Sequence, residues 1–307
     1  HIKALALAWT RPWRAGCMSI TSAFAFGYDE SFCSASCGPT RASAYFNGGR
    51  NAAPDAAVPR PAMLLAGESV EQVRRLIDRG IAADFSYPKG SVYLVRTEDP
   101  ARNVRAALFD DTVEQVRGLH FETPAVADAG GRRDVIGYFT GAVRVPALSS
   151  LEFLPGAPAD HLTSFGGQLL GNTRQMSAIE WLKAGATGSY GTVVEPCNHL
   201  WKFPHPGILM TWYAEGDTLI EAYWKSVAWP GEGVFIGEPL ARPFGTRAVR
   251  DDQGWWVESF SSVGRRAIVE TAPGAIGPFR PVREVMLPAG YGKRRLPGIN
   301  APAVRLR

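Results

Sequence analysis

The chain has 307 residues, 46% hydrophobic and 20% charged, with a formal net charge of +4; this balance excludes wholesale disorder and fits one large domain or one with a small appendage. Basic residues are scattered apart from Lys293, Arg294, Arg295, Arg305 and Arg307, which read as a solvated tail; without a basic stripe or a known motif, no nucleic-acid partner is expected. No stretch approaches the roughly 18–20 apolar residues of a membrane span, so an integral membrane protein is not expected.

Residues 2–9 are an apolar run with no charged flank or cleavage site, which excludes a signal peptide. They predict a buried strand whose preceding partner is absent. With no initiator Met, the chain is expected to be a fragment or a processed form. Residues 10–61 are rich in Gly, Pro, Ser, Ala and aromatics and predict an ordered insertion, because Phe24, Phe26, Tyr28, Phe32, Tyr45 and Phe46 need burial. A strand is predicted at 62–66. Ser69 then caps a helix with Gln72 in capping-box spacing; Val70, Val73, Leu76 and Ile77 line one face, and Gly80 is expected to stop it.

A strand follows at 91–95, and helices at 101–109 and 112–119. The strand at 135–139 ends in Thr140-Gly141, and the strand at 162–165 ends in Gly166-Gly167. The next helix carries Met176, Ile179, Trp181 and Leu182, with Gly185 beyond its end. A strand at 190–194, a helix over 209–227 interrupted near Gly216, and a strand at 234–236 ending in Gly237-Glu238-Pro239 complete the series. Strands alternating with helices predict a mostly parallel sheet covered on both faces. From 246 to 307 the character changes to a hairpin (248–250 with 255–258, across Asp251-Asp252-Gln253-Gly254) and a Pro/Gly-rich tail with short β pieces such as 267–270.

Cys17, Cys33 and Cys37 cluster early and Cys197 stands apart. A disulfide among the first three, buried free thiols, or a metal half-site at Cys33-x3-Cys37 all remain open. Later candidates for chemistry are Cys197, His199 and His205 with Glu195 as a zinc-like donor set, and a His161–Cys197 dyad. Ser164 before Gly166-Gly167 is a nucleophile turn without the full Gly-x-Ser-x-Gly pattern. Asp160 and Glu238 are candidate ligands or acid groups. His161 is expected to precede its strand, five residues or roughly 16 Å from the opposite end, which places it beyond reach of Cys197. No cofactor is expected.

In segment order, residues 1–245 resemble gingipain- and caspase-type cysteine peptidases. The residues that carry the resemblance are 63–69 with the helix after them, 138–142, 162–167, 185–191 and Gly237-Glu238-Pro239. A second resemblance is to an uncharacterised bacterial family that occurs with exosortase-type protein-sorting systems. It rests on 8–12, 19–24, 106–109, 162–167, 188–198 and 221–227. These resemblances imply a caspase/gingipain-like α/β domain over 1–245, interrupted by the insertion at about 10–61 and followed by the β appendage at 246–307. They also imply an extracytoplasmic or periplasmic setting.

The peptidase resemblance further implies that the catalytic His should fall at Thr140 and the catalytic Cys at Phe165 or Gly166, so the usual dyad is absent. Ligands in open α/β sheets bind beyond the carboxyl ends of the strands. That rule places Thr10, Arg11, Thr140, Gly141, Ser164, Phe165, Gly166, Gly167, Glu195 and Asn198 on one rim. The expected role is a catalytically degenerate domain that binds a peptide or protein partner. The alternative is a thiol- or metal-dependent hydrolase built from Glu195, Cys197, His199 and His205.

Overall fold

Strands apolar on both faces need cover on both sides, and the layering follows from that requirement. The computed structural model describes residues 16–27, 29–48, 60–170 and 174–307. Four parallel strands, β1 (Ser91–Leu94), β2 (His120–Glu122), β3 (Val135–Gly141) and β4 (Ala159–Leu162), lie in the order β2-β1-β3-β4. A parallel bridge from Pro158 to Gly188 brings β5 (Gly188–Thr192) alongside β4. Strand β6 (Gly233–Gly237) then pairs antiparallel with β5, and Leu64 bridges its outer edge. The predicted strand at 62–66 is thus reduced to one bridging residue.

Along β1, Val92 and Leu94 point into one core and Tyr93 into another, as strand alternation requires. The first core joins them to Ile136, Phe139, Met210, Tyr223, Trp224 and Phe235; the second joins Tyr93 to Tyr138, Trp181 and Ala159. Helices α1 (Ile20–Phe26), α2 (Val70–Ala83), α3 (Phe109–Gln115), α4 (Ile179–Ala184), α5 (Pro206–Ala214) and α6 (Leu219–Ser226) flank the sheet. Between α5 and α6, Gly216 adopts φ 90°, a conformation that breaks the predicted 209–227 helix where expected. Among the described residues no helix is long and apolar enough to cross a membrane.

Several boundaries moved for physical reasons. Gly80 lies inside α2 because the Glu238 carboxyl packs where its Cβ would stand. Residues 101–109 supply a 3-10 turn, Asn103–Leu108, which runs into α3. The predicted insertion contains α1, whose Ser19 and Ser22 hydroxyls donate to Gly233 and Pro230 carbonyls at 2.5 and 2.6 Å. Phe26 stacks on Phe32 at 4.0 Å, whereas Phe24 stays 40% exposed. The strand at 2–9 and Tyr28 lie outside the described residues.

The region after Phe244 holds more order than a hairpin and tail. β7 (Thr246–Asp251) and β8 (Gly254–Ser261) form the expected hairpin, joined by β11 (Gly290–Arg295). β9 (Arg265–Ala272), β10 (Arg280–Leu287) and β12 (Ala303–Leu306) make a second antiparallel sheet. Val257, Val269, Val285 and Leu287 pack between them. The terminal basic residues are not a free tail: Lys293 pairs with Glu258, and Arg305 and Arg307 pair with Glu270. This layer meets the α/β layer through Phe260 on Phe244, 4.7 Å between centroids.

Candidate functional site

Beyond the carboxyl end of β4 lies a cavity of about 340 Å³ lined by Arg102, Thr163, Ser164, Glu195, Cys197 and Asn198. It gathers three of the predicted rim residues, Ser164, Glu195 and Asn198. The floor is held rigidly. Gln175 accepts from the Phe165 amide at 2.7 Å and from the Thr163 hydroxyl at 2.8 Å. Thr192 donates its hydroxyl to the Ser164 carbonyl at 2.8 Å. Gly167 and Gly191 press directly on one another's chain segments, where a Cβ on either would collide with backbone, so these glycines serve close approach between two chain segments. Ser164 keeps its side chain partly exposed to the cavity.

Arg102 was not singled out from the sequence. It follows β1, so the same carboxyl-end rule assigns its loop to the rim, and that was the available signal. Its guanidinium donates to the Asp99 carboxylate at 2.8 Å and to the Thr163 hydroxyl at 3.2 Å. Glu195 accepts from the Cys197 amide at 2.8 Å and remains exposed beside Asn198.

The remaining candidates are placed away from catalysis. Thr140 is buried and donates its hydroxyl to the Val95 carbonyl at 3.1 Å, inside the sheet. Its neighbour Gly141 is packed against the Arg102 backbone. His161 does not precede its strand: β4 is Ala159–Leu162, so the residue sits within it, opposite Thr140. Its Nδ1 accepts from Trp181 Nε1 at 2.9 Å, which requires the proton on Nε2, and Nε2 donates to the Met176 carbonyl at 3.0 Å. Burial holds this imidazole down at about 3. Both ring nitrogens are engaged, so His161 is no base for Ser164 or for any thiol.

Cys197 has no thiol, because it is bonded to Cys37, while Cys17 is bonded to Cys33. Of the alternatives left open for the early cysteines the disulfide forms, between Cys17 and Cys33, and a second bond reaches across to the rim. His199 lies with Nε2 at 2.7 Å from the Cys37 carbonyl. His205 caps α5, its Nδ1 accepting from the Ile208 amide at 3.3 Å, and burial depresses its pKa. The zinc-like set is thus dispersed, and no group of three or more His, Cys, Asp or Glu among the described residues is placed to hold a metal ion. Asp160 forms a buried pair with Arg105, whose other nitrogen donates to the Thr140 carbonyl at 2.6 Å. Burial pushes the Asp160 carboxyl up, against the attraction of Arg105. Glu238 lies against α2, its pKa raised by burial. Thr10 and Arg11 lie outside the described residues.

The Cys37–Cys197 bond closes 160 residues of sequence, and replacing both cysteines by alanine is expected to lower unfolding stability by about 2–4 kcal/mol. Urea denaturation of the two proteins under oxidising conditions measures this. An unchanged midpoint would show that the bridge adds nothing to the folded state.

Comparison of the chain with protein-family models, with curated proteins and with solved structures finds no match.

Proposed function

We propose that this chain is a catalytically degenerate, caspase- or gingipain-like α/β domain that binds a peptide segment of a partner protein in an extracytoplasmic compartment. Strands β3 and β4, which the peptidase resemblance nominates as carriers of base and nucleophile, are parallel neighbours in register from Tyr138 with Ala159 to Gly141 with Leu162. The observation that carries the reading is the cavity past β4, which has hydrogen-bonding groups and no imidazole. Arg102 and Asn198 can donate while Glu195 and Ser164 can accept, which matches the alternating N–H and C=O groups of an extended peptide. Two disulfides support an oxidising setting, since such bonds persist mainly outside the cytoplasm.

Peptides selected from a displayed random library against the wild-type chain test the reading. The Ser164→Trp variant, which fills the cavity, is expected to weaken them by about tenfold or more, the loss of roughly 1.4 kcal/mol. Arg102→Ala is expected to weaken them as well, and mass spectrometry should find the peptides uncleaved after prolonged incubation. Peptides indifferent to both substitutions would overturn the binding site, and cleavage would overturn the loss of catalysis.

A further inference from the structure

At the amino ends of β1, β2 and β3, opposite the rim, the α/β layer and the C-terminal β layer line a second, open cleft of about 510 Å³. This is within the roughly 300–1,000 Å³ of small-molecule sites. Its walls include the rings of Tyr87, Phe260 and Tyr291 with the aliphatic Ile136, and the nitrogen-bearing side chains on it are Lys89 and His120. No carboxylate lines it. The Tyr87 and Tyr291 centroids are 4.9 Å apart with an interplanar angle of 51°. Aromatic walls in this arrangement favour a flat ring, offset or edge-on.

A hydrogen-bond relay fixes the imidazole. Ser91 donates its one hydroxyl proton to Asp134 Oδ2 at 2.8 Å, and its oxygen lies 3.0 Å from His120 Nδ1. With that proton committed, His120 Nδ1–H is the donor of the second bond, which leaves the Nε2 lone pair as an acceptor on the cavity wall. Tyr93 donates to the other Asp134 oxygen at 2.7 Å, which holds the carboxylate in place.

The loop that delivers Tyr87 is strained. Phe85 and Tyr87 have φ of 50° and 48°, a left-handed conformation in which bulky side chains are outliers. The amides of both are held by the carbonyls of Arg242 and Pro243 at 2.8 and 3.1 Å. The Arg242 and Arg247 guanidinium carbons each lie 5.3 Å from the Phe85 ring centroid. Strain enforced by neighbours in this way concentrates at ligand clamps.

We propose that this interlayer cavity binds a small aromatic carboxylate, its ring against Tyr87, Phe260 and Tyr291 and its carboxylate at the Lys89 ammonium. The Lys89 ammonium sets the sign of the charge, and the rings set the shape. Calorimetric titration of the full chain with 3-phenylpropionate, 3-phenylpropanamide and phenethylamine tests it. The acid is expected to bind about tenfold more tightly than the amide, the worth of one charge-assisted hydrogen bond, and the amine more weakly than either.

Lys89→Ala should bring the acid down to the level of the amide and leave the amide unchanged. Tyr291→Ala should weaken acid and amide alike; Tyr291 is 50% exposed, and thermal melts of both variants verify folding. Equal binding of acid and amide, or acid binding that survives both substitutions, would overturn the proposal. So would the failure of 3-phenylpropionate, indole-3-acetate and 4-hydroxybenzoate alike to bind at millimolar concentration.

Discussion

Acidification from pH 7 to pH 3 is expected to cost the fold about 5 kcal/mol through His161 alone. The ring is neutral in the folded protein because its two nitrogens face a donor, Trp181, and an acceptor, Met176. A second ring proton would point at the Trp181 N–H. The unfolded chain takes that proton near pH 6.5, whereas the folded chain resists until about 3. Between those values the unfolded state binds more protons, so stability falls as pH falls. The interval of roughly 3.5 units at about 1.36 kcal/mol each gives the figure.

Stability is full above pH 6.5 and the loss is complete below 3. His161→Gln provides the control, since a glutamine can accept from Trp181 and donate to Met176 without titrating. Urea midpoints measured across the range should fall less steeply for the variant, by about one proton's worth of slope. Carboxylates elsewhere act on both proteins and cancel in the comparison. Parallel slopes would show that the folded chain protonates this ring at an ordinary pH.

Replacing Lys202 with methionine is expected to destabilise the protein by about 3–5 kcal/mol, the usual cost of stranding a buried charge. Lys202 Nζ lies 2.7 Å from Glu232 Oε1, and both side chains are completely buried. The same carboxylate oxygen accepts from the Ser34 amide at 2.9 Å. Beyond that contact and the ion pair, the charged ends have no further hydrogen-bond partner among the described residues. Without the lysine, Glu232 is left with one amide and no counter-charge. The double replacement Lys202→Met with Glu232→Met removes both desolvated charges and should recover most of the loss, because an apolar pair of similar volume is often neutral. A double-mutant cycle by chemical denaturation reads the coupling. A single Lys202→Met variant as stable as the wild type would show that the pair is hydrated in solution.

His161 also shows where the sequence was legible and where it was not. Strands β3 and β6, helix α2 with its Ser69 cap, and the break at Gly216 were readable because apolar spacing and glycine carry their own signal. At Ser69 the expected bond forms, the hydroxyl accepting from the Gln72 amide at 3.2 Å, while the Gln72 side chain reaches back to Glu68. Strand β4 was misplaced by three residues because Asp160 and His161 are polar yet buried. Their partners, Arg105 and Trp181, are 55 and 20 residues away in sequence, so no local window contains them. The same distance effect hid the bond from Cys37 to Cys197 and the pairing of β12 with β9. Of the ten rim residues expected from strand ends, Ser164, Glu195 and Asn198 line the cavity; which side chains stand there as free groups depended on long-range pairing.

The Cys37–Cys197 bond has a mechanical meaning as well. Tension applied at the two ends of the chain bypasses the 160 residues of sequence separation enclosed by the bond, withholding roughly 540 Å of contour at about 3.4 Å per residue. Strands β1 to β5 lie inside that closed ring, while β6 and the two C-terminal sheets lie outside it. Force is therefore carried past the parallel sheet and first loads the seam between β5 and β6 and the hairpins beyond it. The parallel sheet is the sheltered part of the molecule under load, while Cys197 and Asn198 on the cavity wall lie on the path that carries the force.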